Sequence, residues 1–395
     1  MQTLKKKIIS VLFLVLLYGA ACAQVIPDSL RAEWSYAGLQ NFYVDTNNVA
    51  DVTTFGATGN GTTNDYPAVL AAINSLSGNS GIVYFPPGNY LLNSTINLPD
   101  SVVLKGASSA QTTLTFNFGG ATGNCINVQA SQPHPFYPVQ SGYGKDSFRI
   151  LCDSAMNFAA GDYAELRQQN GAWDTNPASW ADYSVGQMLK VTGIDGDTIF
   201  LEHALRIDYD SGLNVEIRRV NMRSNVSVQC MHIVRTDSTA PSVNYGIYFY
   251  YAANCLVRGV ELEHTIGSLI AAEFSTALEI TGSYFHHAYD YSGTSTKGYG
   301  VTVASHTGES KIENNIFRHL RHAMSVKQGA NGNVYSYNYS IEPTRTEFPT
   351  DLGGDISLHG HYAFSNLFEG NICQNLMIDQ AWGPSGPFNT FFRNR

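Results

Sequence analysis

Short segments with a shared pattern of apolar and polar positions recur along the second half of this 395-residue chain. Six of them align, each with an apolar third position, and four end on asparagine: residues 255–260, 278–283, 310–315, 333–338, 366–371 and 389–394. Their last positions advance by 23 (283−260), 32 (315−283), 23 (338−315), 33 (371−338) and 23 (394−371) residues. A short unit that sometimes grows by a loop insertion is typical of a solenoid coil. The pattern therefore predicts a parallel β-helix.

Two columns of stacked side chains follow from this alignment. The third positions are predicted to face the core, where each packs on its counterpart in the next coil: Val257, Ile280, Ile312, Tyr335, Phe368 and Phe391. The sixth positions predict an amide ladder at a turn, formed by Asn315, Asn338, Asn371 and Asn394. Such a ladder is structural, because its amides bond the turn backbone and one another.

The coil rhythm is lost between residues 142 and 222. Residues 160–167 and 187–202 alternate like strands, and Asp195-Gly196 is a hairpin turn signal. The segment is therefore predicted to be a small antiparallel β-insertion. Trp173 and Trp180 lie on its loop beside amides and carboxylates, and they are candidates for stacking on sugar rings. Packing against the main body is the favoured interpretation, since large aromatic side chains usually dominate cores.

The N-terminus has the pattern of a secretory signal peptide. Three lysines at 5–7 precede an apolar run at 8–18, and Ala21-Cys22-Ala23 supplies the small residues of a cleavage site. Cleavage after Ala23 is favoured over acylation of Cys22, which normally requires leucine or a similar residue where Gly19 stands. No other stretch approaches the roughly 20 apolar residues of a membrane helix. The chain is therefore expected to be secreted or held at the cell surface, with no membrane span.

Composition and charge narrow the class of partner. There are 36 Gly, 23 Tyr and 20 Phe, and charged residues are only 14%, which suits an all-β protein. Removal of the signal peptide takes three of the 23 Lys+Arg residues and leaves a net charge near −12 (20−32). This balance argues against nucleic-acid binding, which requires a basic surface. The remaining cysteines are odd in number and widely spaced, so no disulfide framework is predicted.

A different signature precedes the coils. Residues 51–61 read DVTTFGATGNG and lead into an apolar helical stretch at 68–76, with Asn64 or Asp65 near its N-cap. Two strands bounded by Gly and Pro follow at 81–90 and 101–106. This block resembles the N-terminal part of the pectate-lyase superfamily, which includes polygalacturonase-like and rhamnogalacturonase-like proteins. The resemblance implies an all-β, right-handed parallel β-helix whose open end is capped by the N-terminal helix.

The residue patterns and the resemblance together predict a domain organisation. We expect a signal peptide at 1–23, the cap and first coils at 24–141, the β-insertion at 142–222, and further coils at 223–395 that lack a polar C-terminal cap. Activity is left open by this resemblance, because the superfamily holds lyases, hydrolases, epimerases and non-catalytic adhesins.

Ionisable residues concentrate in the coils around residue 300. His264, His287 and His319 share one column, stepping by 23 (287−264) and 32 (319−287) residues, so stacked coils place them about 5 Å apart. They form either a chemically silent polar ladder or the wall of a groove for an anionic chain, closed at one side by a loop at 341–361. The candidate catalytic residues are Lys327, Arg321, His322, His319 and His287, and the candidate substrate-binding residues are Arg318, His359, His361, Trp173 and Trp180.

Three classes of function suit this pattern, each with a polysaccharide as the partner. In a lyase, a base removes the proton beside a uronate carboxylate while a cation stabilises the charge that develops. Lys327 or a neutral histidine is the candidate base, with Arg318 or Arg321 on the carboxylate. The second class is a hydrolase, and the third is a non-catalytic adhesin that binds glycan. The lyase is the function we favour.

A hydrolase requires two carboxylates that flank the scissile bond. The candidates are Asp351 with Asp355, or Asp290 with Glu309. The Asn-Thr-Asp, Asp-Asp, Gly-His-Gly and Arg-Ile-Lys motifs of the polygalacturonase-like family are absent, and His359-Gly-His361 has the reverse order. No metal-ligand set is predicted. Asp351 and Asp355 are the candidate ligands for Ca²⁺, although they match no known calcium-binding motif.

Overall fold

The computed structural model describes residues 27, 30–76, 78–132, 134–238, 243–380 and 382–395. The chain divides into a short unit, Met1–Ala32, and one large unit, Glu33–Arg395, which contains the architecture that follows. The predicted signal peptide at 1–23 lies outside the described residues.

Three parallel sheets form the body of the large unit. Sheet I contains the strands Val49–Asp51, Gly81–Phe85, Val102–Gly106, Ser227–Gln229, Leu256–Arg258, Glu279–Thr281, Lys311–Glu313, Val334–Ser336, Leu367–Glu369 and Thr390–Phe392. Sheet II contains Asn60–Asn64, Gly88–Leu92, Thr112–Phe116, His232–Arg235, Glu261–Thr265, Tyr284–Ala288, Ile316–Arg318 and Tyr339–Ile341. Sheet III contains Ile96–Asn97, Ile126–Gln129, Ile247–Tyr250, Ser268–Glu273, Tyr299–Ala304, His322–Val326, Gly354–His359 and Leu376–Asp379. Each coil visits the three sheets in turn, and the predicted right-handed parallel β-helix is confirmed.

The predicted core column is also confirmed. Val257 pairs with Ile280, and the register continues through the following coils to Ile312, Tyr335, Phe368 and Phe391. The first five of these side chains are at most 1% exposed. The aromatic members stack, with ring centroids 5.1 Å apart for Tyr335 and Phe368 and 4.8 Å for Phe368 and Phe391. Each coil thus packs its apolar third position on the same position of the next coil.

The predicted asparagine ladder lies at the turn between sheets I and II. The side-chain oxygen of Asn338 accepts from both the backbone N–H and the side-chain amide of Asn315, each at 3.1 Å. Asn371 does the same for Asn338, and Asn394 for Asn371. A second ladder, which the sequence pattern had not indicated, joins Asn333, Asn366 and Asn389.

Replacement of Asn338 by alanine is expected to cost about 1–3 kcal/mol of unfolding free energy. The substitution leaves the backbone N–H of Asn315 and the carbonyl of Ile312 without their buried partner. Urea unfolding followed by circular dichroism measures the effect, with Asn47→Ala as the control because Asn47 is exposed. Equal midpoints for the two variants would show that the ladder contributes no stability.

The β-insertion is a six-stranded antiparallel sheet. In spatial order its strands are Arg149–Leu151, Thr198–Leu201, Val185–Asp195, Tyr163–Gln168, Glu216–Val220 and Tyr137–Pro138. The sheet thus begins at Tyr137, before the expected boundary at 142, and the hairpin turn falls at Asp195-Gly196 as predicted. A second hydrophobic core, with Leu166, Ile199 and Ile217 among its fully buried members, holds the insertion together.

Helices are few in the described part of the chain. The predicted N-terminal helix is Tyr66–Ser75, and short 3-10 turns lie at Val52–Phe55, Ala155–Asn157, Ser179–Ala181 and Ser211–Leu213. Asp65 occupies the N-cap position, but its carboxylate accepts hydrogen bonds from the backbone N–H groups of Thr58 and Gly59 instead of capping the helix. Among the described residues, no helix has the length and apolar character needed to cross a membrane.

Candidate active site

A cavity of about 300 Å³ opens on the outer face of sheet III. It is lined by Trp180, Gly293, Ser295, Thr296, Tyr299, Arg321, Lys327, Gln328, His359 and Trp382. Four of these residues, Arg321, Lys327, His359 and Trp180, are among those that the sequence pattern singled out. The wall that contains Gly293, Ser295 and Thr296 belongs to the loop that joins the strands Tyr284–Ala288 and Tyr299–Ala304.

Strand alternation explains why polar side chains meet here. Val301, Met324 and Val326 point into the core from consecutive strands of sheet III. Their neighbours Ser325 and Lys327 therefore point outward. Ala323 belongs to the core together with Met324, so the alternation breaks at this point and His322, one position earlier, lies outside the core cluster. Tyr299 pairs with His322 at the start of these strands, and His359 pairs with Asp379 at the end of the next two. Successive coils thus stack their functional side chains on one face.

Asp379, His359 and Tyr299 form a hydrogen-bonded relay. The Oδ2 atom of Asp379 lies 2.5 Å from Nδ1 of His359, and Nε2 of His359 lies 3.4 Å from the hydroxyl of Tyr299. A carboxylate on Nδ1 holds the proton on that nitrogen, so Nε2 carries the lone pair. The imidazole therefore presents a basic nitrogen beside a phenol.

Tyr299 stays protonated at neutral pH. Its side chain is 1% exposed, and burial raises the pKa of the phenol to about 12, although the nearby Arg321 acts in the opposite direction. The guanidinium carbon of Arg321 lies 5.5 Å from the centre of the Tyr299 ring, and the guanidinium donates to the carbonyl of Ser295 at 3.3 Å. The cavity thus contains a proton donor and a permanent cation side by side.

The amino group of Lys327 also faces the cavity. Its Nζ donates to the hydroxyl of Thr296 at 3.1 Å. Burial lowers the pKa of this ammonium, and the carboxylate of Glu273 opposes the shift. Burial likewise raises the pKa of Glu273, which accepts a hydrogen bond from the hydroxyl of Tyr248 at 3.2 Å. The two groups lie on the same outer face of sheet III, two coils apart.

Two tryptophans form the apolar walls. Trp180, on the loop of the β-insertion, lies 6.1 Å from Trp382 between ring centroids, and the two side chains are 54% and 43% exposed. Exposed aromatic rings present the apolar surface on which a sugar ring stacks. An adjoining cavity of about 250 Å³ shares the lining residues Trp180 and Gln328 with the first.

His322 lies beneath the cavity and does not line it. Its side chain is 3% exposed, with ring centroids 4.6 Å from Tyr299 and 5.4 Å from His359. Burial lowers the pKa of His322 well below its usual value, and the neighbouring His359 and Arg321 act in the same direction. A neutral imidazole packed in this way positions the two reactive rings above it.

His287, His319 and Arg318 lie on a different face. His264, His287 and His319 do stack, with ring centroids 5.9 and 5.0 Å apart, as the repeat predicted. They belong to sheet II, however: His264 and His287 lie in its strands, and His319 directly follows one. Arg318 pairs with Glu342 at 2.9 Å near the surface. The single groove that the sequence pattern predicted therefore divides into two separate clusters. Spacing along the chain could not show on which side of the coil each residue would fall.

His361 and Trp173 take part in packing. His361 is fully buried, its Nε2 lies 3.3 Å from the carbonyl of Asn176, and its ring contacts that of Trp180. Trp173 packs on Tyr362 at 4.7 Å between ring centroids, beside the core of the β-insertion. The packing interpretation is thus the one that applies to Trp173, whereas Trp180 faces the cavity.

Of the four carboxylates considered for hydrolysis or for calcium, three are already engaged with other groups and the fourth, Asp351, is exposed. Asp355 accepts hydrogen bonds from the hydroxyl of Ser340 and from the backbone N–H groups of Gln374 and Asn375, whereas Asp351 is exposed. With both oxygens of Asp355 in use, this pair does not fit a calcium cage.

The other proposed pair is also engaged. Asp290 pairs with Lys297 at 2.7 Å, and Glu309 is buried against Arg206 and His203. Among the described residues that line the cavity beside Tyr299, none is a carboxylate.

Tyr299, Asp379 and Trp382 were missed from the sequence. Tyr299 precedes His322 by one repeat of 23 residues (322−299), which is the signal that could have revealed it. Asp379 follows His359 by only 20 residues (379−359), which is shorter than the 23-residue repeat. The repeat alignment therefore did not place Asp379 beside His359.

The parallel β-helix of three sheets is the fold of pectate-lyase-like proteins. A family model described as rhamnogalacturonase A/epimerase, pectate lyase-like, matches residues 49–351. The chain belongs to this family.

The individual proteins that resemble this chain have low sequence identity to it. A capsule K1-specific depolymerase of Klebsiella phage K64-1 is 22% identical over 248 residues, which cover 59% of this chain and 26% of that protein. Among solved structures, the tailspike gp61 of Pseudomonas phage phi297 has a TM-score of 0.63 at 17% identity, covering 86% of this chain and 59% of that one. The tailspike gp49 of Pseudomonas phage LKA1 has a TM-score of 0.64 at 16% identity, with 87% and 59% coverage. This chain therefore spans about a quarter of the curated relative (26%) and 59% of each tailspike chain.

Proposed function

We propose that this protein cleaves an acidic, uronate-containing polysaccharide by β-elimination. One observation carries the proposal: the relay of Asp379, His359 and Tyr299 shares a cavity with Arg321. Family membership and the name of the phage depolymerase support a polysaccharide as the substrate. The predicted signal peptide would export the enzyme to where such a polymer is found.

The chemistry needs a base, a cation and an acid. Nε2 of His359 removes the proton on the carbon beside the uronate carboxylate, and Asp379 stabilises the imidazolium that forms. Arg321 binds the carboxylate and offsets the negative charge that develops on it. The carbon–hydrogen electron pair becomes the new double bond, and the bond to the glycosidic oxygen breaks. Tyr299 donates its proton to that leaving oxygen.

The remaining groups orient the chain. Trp180 and Trp382 stack on a sugar ring, and the adjoining cavity holds a neighbouring residue of the polymer. Lys327 adds positive charge to the carboxylate site in a protein whose overall charge is negative, and a cleft focuses such local charge.

Hydrolysis has less support. The cavity beside Tyr299 has no carboxylate among its described lining residues, and the adjoining cavity has Glu165 and Asp182. Glu165 is fully buried between His306 at 3.1 Å and Arg218 at 2.7 Å, so it is not available to a glycosidic oxygen. The pair of carboxylates that flanks the scissile bond in most glycosidases is therefore missing from these two cavities.

Incubation with a panel of uronate-containing and neutral polysaccharides tests the proposal. We expect new ultraviolet absorbance from a conjugated double bond, released together with reducing ends, on an acidic polymer. Reducing ends without this absorbance would mean hydrolysis, and binding without any cleavage would mean a glycan-binding module. Either of these results overturns the elimination mechanism.

A matched pair of arginine variants then tests the site within the same assay. Arg321→Ala is expected to lower kcat/KM by about 10²–10³-fold, the usual cost of losing a charge-stabilising donor. Arg318→Ala removes the same kind of side chain three residues earlier in the chain. Arg318 pairs with Glu342 outside the cavity. This control should retain wild-type activity. Equal losses in the two variants would refute the assignment of Arg321.

A further inference from the structure

A second cluster of ionisable groups lies on the outer face of sheet II, outside the cavity. We define it as the histidine cluster, which consists of His232, Glu261, Glu263, His264, His286 and His287. Its members come from three consecutive strands, His232–Arg235, Glu261–Thr265 and Tyr284–Ala288. The mechanism proposed above uses none of these side chains.

Three ligand atoms converge within the cluster. Nδ1 of His286 lies 2.9 Å from Nδ1 of His287 and 3.5 Å from Oε2 of Glu263. One ligand atom from each of these residues lies within 4.8 Å of the other two. Atoms bound to one metal ion at about 2.0–2.2 Å lie at mutual distances of this order. Two imidazole nitrogens and one carboxylate oxygen thus surround a common point.

Hydrogen bonds behind these atoms aim them at that point. Glu261 lies 3.2 Å from Nε2 of His286, so it holds the proton there and leaves Nδ1 with a lone pair. His232 lies 3.0 Å from Oε1 of Glu263, so the other oxygen, Oε2, is the one that faces the imidazoles of His264 and His286. A ligating histidine that donates its other ring N–H to a carboxylate is the usual outer-shell arrangement of protein metal sites. A plain polar ladder needs no such orientation.

We propose that Glu263, His286 and His287 bind a divalent transition-metal ion of the Zn²⁺ type. Imidazole ligands select zinc and its neighbours over Ca²⁺ and Mg²⁺, which prefer sets of oxygens. Three protein ligands leave a fourth position for water. His264, whose Nδ1 lies 2.7 Å from Oε2 of Glu263, borders the site. The sequence pattern gave no metal-ligand set here, because the ligands are brought together only by the stacking of two coils.

Bound metal would join two consecutive coils. Glu263 lies on the strand Glu261–Thr265, and both histidines lie on Tyr284–Ala288, which pairs with it in parallel. An ion that binds the folded chain but not the unfolded chain raises the unfolding temperature, and the effect grows with the concentration of the ion. Zinc is therefore expected to stabilise the protein.

Calorimetric titration of the metal-free full chain with ZnCl₂ tests the proposal. We expect one saturable site per chain, and a higher thermal midpoint with zinc than without. Two asparagine variants form a matched pair, because His287 and His319 both have left-handed backbone, with φ of 50° and 54°, and asparagine tolerates that conformation. His287→Asn should weaken zinc binding by more than about 100-fold, beyond the loss typical of outer-shell changes.

The control is His319→Asn. Its ring stacks on that of His287, but it contributes no ligand, so this variant should bind zinc as the wild type does. Glu261→Gln, which alters only the group behind His286, should weaken binding by about 10–100-fold. Unfolding midpoints without zinc verify that each variant is folded. No saturable site in the wild type, or equal zinc affinity in His287→Asn and His319→Asn, would overturn the proposal.

Discussion

Tyr299→Phe is expected to lower kcat on the cleaved polysaccharide by about 10²–10⁴-fold, the usual contribution of a positioned general acid. The variant keeps the ring that packs on His322 and loses only the hydroxyl that faces His359. KM should change little, because the lost proton transfer takes place only in the transition state. Initial rates of ultraviolet absorbance over a range of substrate concentrations measure both constants.

The pH profile provides a second readout for the same residue. Burial raises the pKa of Tyr299 to about 12, so its proton is present across neutral and moderately alkaline pH. Activity that needs this proton is lost only as the pH rises through that value. Tyr337→Phe is the matched control, since Tyr337 is exposed and lies outside the cavity. Wild-type kcat in Tyr299→Phe would show that another group protonates the leaving oxygen.

Glu309→Gln is expected to have the largest effect on stability, a loss of about 3–5 kcal/mol in the free energy of unfolding. Glu309 is buried and lies 2.7 Å from the guanidinium of Arg206 and 2.9 Å from Nδ1 of His203. The substitution leaves the buried Arg206 charge without its counter-ion. Urea unfolding at neutral pH measures the change. Glu342→Gln is the control, because its ion pair with Arg318 is exposed and is worth at most about 1 kcal/mol.

The pH dependence of this effect has a defined sign. Burial disfavours the ionised form of Glu309, but Arg206 and His203 overcome that penalty and hold its pKa below the usual 4.5. A carboxylate with a lowered pKa contributes stability above its unfolded pKa, and the contribution is lost as the pH falls through the folded pKa. The difference between wild type and Glu309→Gln should therefore shrink below about pH 4.5. A difference that stays constant into acid would contradict the assignment.

Repeated local pattern was enough to predict the body of the molecule. The column that contains Val257 and Phe368 and the ladder that contains Asn338 both follow from residues that recur at one position of each coil. A solenoid packs each coil on its neighbour, so a period along the chain becomes a column in space. The antiparallel β-insertion was predicted for the same reason, since strand alternation is a local property.

The candidate site was predicted only in part. The density of cations and imidazoles indicated Arg321, Lys327 and His359, and these do share one cavity. His287 and His319 lie in nearby coils but on the side of sheet II, because a turn of a few residues takes the chain from one face of the coil to the next.

Only the tertiary structure decided which residues from different coils come into contact. Asp379 meets His359 although the coil between them is shorter than the aligned repeat, and Trp180 reaches the cavity from the β-insertion, far away in sequence. Glu263 joins His286 and His287 only through parallel strand pairing. Sequence by itself thus determined the fold and the kinds of residue available for chemistry. The stacking of unequal coils decided which of those residues meet, because loop length and turn direction vary without a local signal.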